Sequence, residues 1–163
     1  MSFSPGNPLR MGKRSIFLSL FLLCSALAVY LLWPSDESRI RSLFAEGAKA
    51  FESKDLEGVI SRVSYNYRDD YGMTYLSVKN FMKREMDMLS DIEVEYDGRE
   101  IRIEKDRAEA ILSVRIVATS GNETGYIIGT IKDPLRLRFT LERERRKWLI
   151  IKTEGFEKAS GIF

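Results

Sequence analysis

The sequence predicts an α+β protein: a transmembrane helix, then three helices packed on a curved antiparallel sheet. Three observations carry that expectation. Residues 15–33, SIFLSLFLLCSALAVYLLW, contain no charge. Between Asp36 and Ser90 apolar residues recur at three- and four-residue spacing, the period of an amphipathic helix. Beyond Asp91 the period falls to two, which is that of half-buried strands.

The charge-free stretch is nineteen residues long, and as a helix it would reach about 29 Å, close to the ~30 Å of bilayer hydrocarbon. Arg10, Lys13 and Arg14 precede it, whereas Asp36 and Glu37 follow it. Basic residues stay on the cytoplasmic side. The expected arrangement is therefore a short cytoplasmic tail (1–14), a single span through the inner cell membrane (15–33) and a domain outside the cytoplasm, in the periplasm or its equivalent (35–155, with a tail at 156–163). Tyr30 and Trp33 suit an interfacial aromatic belt, and Pro34 stops the helix. Two other readings compete. Ala26-Leu27-Ala28 fits a signal-peptidase site, but Val29 to Trp33 carries the apolar run past the cut. A lipoprotein signal would need a small residue before Cys24, where Leu23 stands.

Composition excludes several functions. The chain has 26 basic and 24 acidic residues, and with the three N-terminal cations set aside the exported part is almost neutral. It has no electrostatic case for nucleic acid. There is no histidine, which removes His-based triads, the usual imidazole base and most zinc and iron sites. No metal or cofactor is expected. The only cysteine, Cys24, lies in the apolar stretch, so the exported domain is held by its core without disulfides.

In chain order, Asp36 and Glu37 stand at the positive end of a first helix. Ile40, Leu43, Phe44, Gly47, Ala48 and Phe51 form its apolar stripe to about Ser53. Asp55 can cap a short second helix carrying Leu56, Val59, Ile60 and Val63. A polar, tyrosine-rich link, Ser64 to Thr74, leads to a third helix from about Leu76 to Ser90, with Val78, Phe81, Met82, Met86 and Leu89 on one face.

The strands follow. Ile92, Val94 and Tyr96, then Ile101 and Ile103, alternate with charges, and Ala108, Ala110, Leu112, Val114, Ile116 and Ala118 mark one face of a long strand. Two registers fit. A turn at Asp97-Gly98 would face Val94 with Ile101. A turn at Lys105-Asp106, with a one-residue bulge near Gly98, would face Ile103 with Ala108, Val94 with Ile116 and Ile92 with Ala118. The second keeps every apolar residue on one face of a bent strand and is preferred. Tyr126 to Ile131 is extended, Leu135 to Leu141 forms another strand, and Lys147 to Thr153 is the last. Trp148 and Ile150 fall on one face of that strand and Leu149 and Ile151 on the other, so both sides need cover, from self-association or from Phe156, Ile162 and Phe163.

The stretches AKAFESKDLEGVISRVSYNYRDDYG (48–72), IRIEKDRAEAILSVRI (101–116) and RFTLERERRKWLIIKTEG (138–155), in that order, resemble the nuclear-transport-factor-2-like superfamily. The resemblance implies a cystatin-like cone in which a curled sheet wraps the first helix, and it covers nearly all of the exported domain. Enzymatic members of that superfamily would call for a carboxylate and tyrosines or histidine inside the cone, and this sequence has no histidine. The resemblance also places Tyr65, Tyr67, Asp69, Asp70 and Tyr71 at the rim of the open end, as candidate ligand-binding residues. Without a catalytic motif, the leading expectation is a non-catalytic domain that binds a protein partner or a small apolar ligand. A homodimer through the sheet face is a further possibility, and the rival is an isomerase- or dehydratase-type enzyme using Asp and Tyr in the pocket.

The remaining motifs have plainer readings beside the functional ones. Asp-Asp before Gly72 is ordinary turn chemistry. Glu93-x-Glu95-x-Asp97-Gly98 with Glu104 approaches a calcium loop, yet the alternation of Val94, Tyr96, Ile101 and Ile103 demands a strand. The basic run Arg136, Arg138, Arg143, Arg145, Arg146 and Lys147 can meet anionic headgroups or be the solvated face and turn of a hairpin. Asn122-Glu123-Thr124 is a glycosylation sequon, relevant only in a host that glycosylates.

Overall fold

The computed structural model of the chain describes residues 21–23, 25 and 34–156. The chain divides into two compact units, Met1–Ser35 and Asp36–Phe163. In the first, Phe21 to Leu23 and Ser25 are helical, and the Ser25 hydroxyl donates to the Phe21 carbonyl at 2.7 Å. Most of the expected 15–33 span and the end of the C-terminal tail, with Ile162 and Phe163, lie outside the described residues. Among the described residues no helix is long and apolar enough to cross a membrane.

Among its described residues the second unit has three helices, α1 (Asp36–Glu52), α2 (Leu56–Ile60) and α3 (Tyr75–Met88). Its five strands are β1 (Leu89–Glu104), β2 (Arg107–Ser120), β3 (Glu123–Ile128), β4 (Leu135–Glu144) and β5 (Lys147–Glu154). All pair antiparallel in one sheet of order β1-β2-β4-β5, with β3 beside the distal half of β2. Asp55 caps α2 as its position predicts, accepting from Gly58 N–H at 2.9 Å.

The hairpin register is the preferred one. Glu104 faces Arg107 across the Lys105-Asp106 turn, Ile103 faces Ala108, Ile101 faces Ala110 and Val94 faces Ile116. The extra residue is Arg99, between the pairs Gly98↔Leu112 and Glu100↔Ile111. The expected Ile92–Ala118 pair is displaced by a second bulge, which sets Asp91 and Ile92 together against Ala118, with Asp91 at a left-handed φ of 48°. This bulge also corrects the helix end. α3 stops at Met88 and β1 begins directly at Leu89, because Leu89 and Ile92 are both drawn into the core. Further register shifts fall at Ile127 in β3 and Ile151 in β5. Each adds bend and right-handed twist, and together they curl the sheet.

α1 lies in the hollow of that curl. Ile40, Leu43 and Phe44 share one core with Leu112, Leu137, Leu141 and Trp148, and the small Ala108 and Ala110 opposite leave room for the helix. Phe44 meets Phe139 with ring centroids 5.0 Å apart. Fully burying a side chain such as Ile40 stabilises the fold by roughly 1.5–3 kcal/mol, so this stripe holds helix and sheet together. A smaller core of Ile60, Tyr67 and Val78 joins α2, the link and α3.

The free edge of the last strand is paired within the domain, and Trp148 and Ile150 on one of its faces join the cores. Residues 62–68 run along the free edge of β5: Ser64 N–H donates to the Ile150 carbonyl (2.9 Å), Ile150 N–H to the Arg62 carbonyl (2.9 Å) and Arg68 N–H to the Ile151 carbonyl (3.0 Å). Phe156 packs on the main core. The link is thus part of the scaffold.

Candidate functional site

Between α1, the curled sheet and α3 lies a cavity of about 1080 Å³, at the upper end of the range of small-molecule sites. Its wall is built from Phe44, Ala48 and Phe51 of α1, Val94, Leu112, Val114 and Ile116 of the sheet, and Phe81 and Met88 of α3. Helical spacing explains the last contribution, since Ser77, Phe81, Glu85 and Met88 lie along one side of α3 and all line the space. The lining is predominantly aliphatic and aromatic.

Polar side chains break that wall on two sides: Ser77, Asn80, Arg84 and Glu85 come from α3, and a buried Tyr67–Asp69 pair comes from the link. The docking of residues 62–68 on β5 turns Tyr67 inward, leaving it 6% exposed, and Asp69 follows at 7%. The Tyr67 hydroxyl donates to Asp69 Oδ2 at 3.4 Å, a long bond. Asp69 Oδ1 accepts from two backbone N–H groups, Tyr71 at 3.0 Å and Met73 at 2.8 Å. A single carboxylate oxygen therefore shapes the 69–73 turn, and the second remains only weakly engaged. Burial pushes the Tyr67 phenol up to about 12; a hydrogen bond with Thr153 opposes the shift, and the charge of Asp69 adds to it. Tyr67 is accordingly a neutral hydrogen-bond donor near neutral pH.

Of the five residues singled out in the link, Tyr67, Asp69 and Tyr71 line the cavity. Tyr71 is more than half exposed, at the mouth. Tyr65 is 81% exposed and packs its ring on Tyr75 at 4.5 Å, outside the cavity. Asp70 points to solvent and pairs with Lys152 at 2.9 Å, which raises the Lys152 ammonium pKa. The tandem acids thus take opposite directions.

Sequence reasoning missed Arg62. It lines the cavity beside Gly47, pairs with Glu46 at 2.6 Å, and its Nε is buried without an acceptor. Nothing in the local pattern distinguishes it from a solvated cation at the end of a short helix. The cavity residues of α1 and the sheet were visible only as core positions, because a cavity wall and a packed core share one periodicity.

On the outer face of the sheet, Arg107, Glu109, Arg136 and Arg138 are exposed. Segment 93–104 lies within β1, and among the described residues no group of acidic side chains is arranged to hold a metal ion.

No family model matches the chain, and no curated protein matches it in sequence. Solved structures do. A nuclear-transport-factor-2-like protein with a cystatin-like fold from Novosphingobium aromaticivorans is similar at TM-score 0.57 and 15% identity, covering 89% of each chain. A proposed scytalone dehydratase from the same organism gives TM-score 0.63 at 11% identity, over 73% of this chain and 81% of that one. A conserved protein from Planctomyces limnophilus gives 0.62 at 15% identity, over 72% and 92%. At such identities the likeness is one of fold. The domain has the cystatin-like, nuclear-transport-factor-2-like α+β architecture, with a curved antiparallel sheet.

Proposed function

We propose that this chain is a membrane-anchored, non-catalytic domain displayed outside the cytoplasm, and that it holds a small apolar ligand inside its cone. The observation that carries this reading is the cavity, about 1080 Å³ with a mostly apolar wall. A concave space of that size and mostly apolar lining suits a small molecule with an apolar body. The weakly engaged Asp69 Oδ2 and the Tyr67 hydroxyl offer one polar point by which such a molecule is oriented. A protein partner or a second copy at the outer sheet face is the lesser reading, because Arg107, Glu109, Arg136 and Arg138 are exposed there and interface cores are poor in charge.

The anchor rests on the sequence of residues 15–33 and the cations before it. Its test is extraction. The full chain should stay with membranes in alkaline carbonate, and protease should reach the domain only from the non-cytoplasmic side. Recovery as a freely soluble species overturns it.

The second reading, an isomerase- or dehydratase-type enzyme, draws on Asp69 in the cavity wall beside Tyr67. There the carboxylate would take a proton next to a carbonyl while a neutral tyrosine donates to the carbonyl oxygen. We favour binding because Asp69 Oδ1 is committed to two backbone N–H groups that shape the 69–73 turn, a structural role the residue fills without any chemistry, and most of the remaining wall is apolar.

Titration of the detergent-solubilised full chain with a solvatochromic apolar dye tests the ligand reading. Saturable binding is expected, weakened tenfold or more (about 1.4 kcal/mol per decade) by Ala48→Phe, which fills the space from α1. Absence of saturable binding by a folded wild-type chain overturns the proposal.

A further inference from the structure

The first residue of the domain is fixed to one pole of the sheet. Asp36 accepts from Trp148 Nε1 at 3.2 Å and pairs with Arg143 at 3.0 Å. Arg143 in turn bonds Asp106 at 2.9 Å and the Lys105 carbonyl at 3.1 Å. The start of α1, the β1–β2 turn and the β4–β5 turn therefore meet at a single end. The structure sorts the basic run of β4 and β5 accordingly. Arg136 and Arg138 stand on the outer sheet face, and Arg143 is neutralised by Asp36 and Asp106. Lys105, Arg145, Arg146 and Lys147 are exposed at the turn tips and, among the described residues, enter no ion pair. Of the acidic neighbours, Glu144 is drawn back to the buried Ser64 hydroxyl and Glu104 stands one residue behind its tip.

We infer that this pole is a docking surface for anionic lipid headgroups. The inference rests on the anchor reading given above. With residues 15–33 in the bilayer, Pro34 and Ser35 are all the chain that separates the span from Asp36, and three Cα–Cα steps reach at most ~11 Å. Asp36 is then held within about one Debye length, ~8–10 Å, of the headgroup region, and the turns that meet at its end of the domain carry lysine and arginine that a negative surface attracts. The contact orients the cone, because it fixes one end of the sheet against the membrane.

The test is hydrogen–deuterium exchange of the full chain in nanodiscs of phosphatidylcholine alone and with phosphatidylglycerol added. Exchange at residues 104–107 and 143–148 should slow several-fold in the anionic discs and recover at high salt, while the β2–β3 turn at Gly121-Asn122 stays unchanged. The double variant Arg145→Gly, Arg146→Gln should abolish the difference. Arg145 has φ 59°, a conformation glycine adopts without strain, so this variant removes charge without harming the turn. Equal exchange in both lipids, in a chain that inserts into both, overturns the inference and leaves the anchor standing. Failure to insert into either overturns both.

Discussion

Trp148 donates its indole N–H to the carboxylate of Asp36, 112 residues away in sequence, at 3.2 Å. The same carboxylate pairs with Arg143, whose guanidinium lies 5.3 Å from the Trp148 ring. One acidic side chain in the first turn of α1 thereby ties the helix start to the last hairpin. Trp148 is itself buried, so its N–H has little access to a substitute partner.

Asp36→Ala should cost about 1–3 kcal/mol, the penalty for stranding a buried donor together with a half-exposed ion pair. Asp36→Asn should lie between it and wild type, since an amide oxygen still accepts from Trp148. Urea midpoints measure both. Equal stability of wild type and Asp36→Ala would show that the contact does not couple helix to hairpin.

Tyr67 gives an alkaline signature. Its phenol titrates at about 12 in the folded chain, against an ordinary value of 10.0. The folded state thus favours the neutral ring. That stabilisation is complete below the unfolded value and is lost as pH rises from about 10 through about 12. In a spectrophotometric titration one of the seven tyrosines should ionise last, and Tyr67→Phe should delete that last step. A Tyr67→Phe chain with an unaltered titration curve would place the late phenol elsewhere.

Asp69 separates binding from catalysis. Asp69→Asn keeps an oxygen for the Tyr71 and Met73 N–H groups, whereas Asp69→Ala frees both and should destabilise the domain by roughly 1–3 kcal/mol. Under the binding reading Asp69→Asn changes affinity for an apolar ligand less than about tenfold, the scale of a single neutral hydrogen bond. Under the enzymatic reading it removes the base, and turnover falls by roughly 10²–10⁴. Measuring ligand affinity and turnover on this one variant decides between them.

Gly129 is the backbone pivot between β3 and β4. Its φ is 61°, and a Cβ there would stand 2.6 Å from the Val114 carbonyl oxygen and 2.8 Å from Leu135 N. Neither backbone atom can move without breaking the β2–β4 ladder. Gly129→Ala should therefore cost more than about 2 kcal/mol, or prevent folding, through combined strain and overlap. Gly121, also left-handed but with open space around it, should tolerate alanine at about 1 kcal/mol. Comparable losses at the two positions would count against the crowding.

The sequence by itself determined the order of helices and strands and narrowed the hairpin to two registers, of which the one-face pattern favours the register observed. A slip of one residue would turn Ala108, Ala110, Leu112, Val114 and Ile116 outward, and the bulge beside Gly98 is the least disturbance that avoids this. Those features follow from the local periods of residues 36–54 and 92–118. Tertiary structure alone decided the site. The link has no period, so whether Tyr65 or Tyr67, Asp69 or Asp70, turns inward depends on its docking to β5 through Ser64 and Ile150, residues far apart in the chain. Likewise an apolar face reads the same whether it meets another side chain or empty space. The cavity arises only because α3 leaves the sheet at Met88 and the bulged strands curl away from it, and neither distance is written in any one stretch of residues.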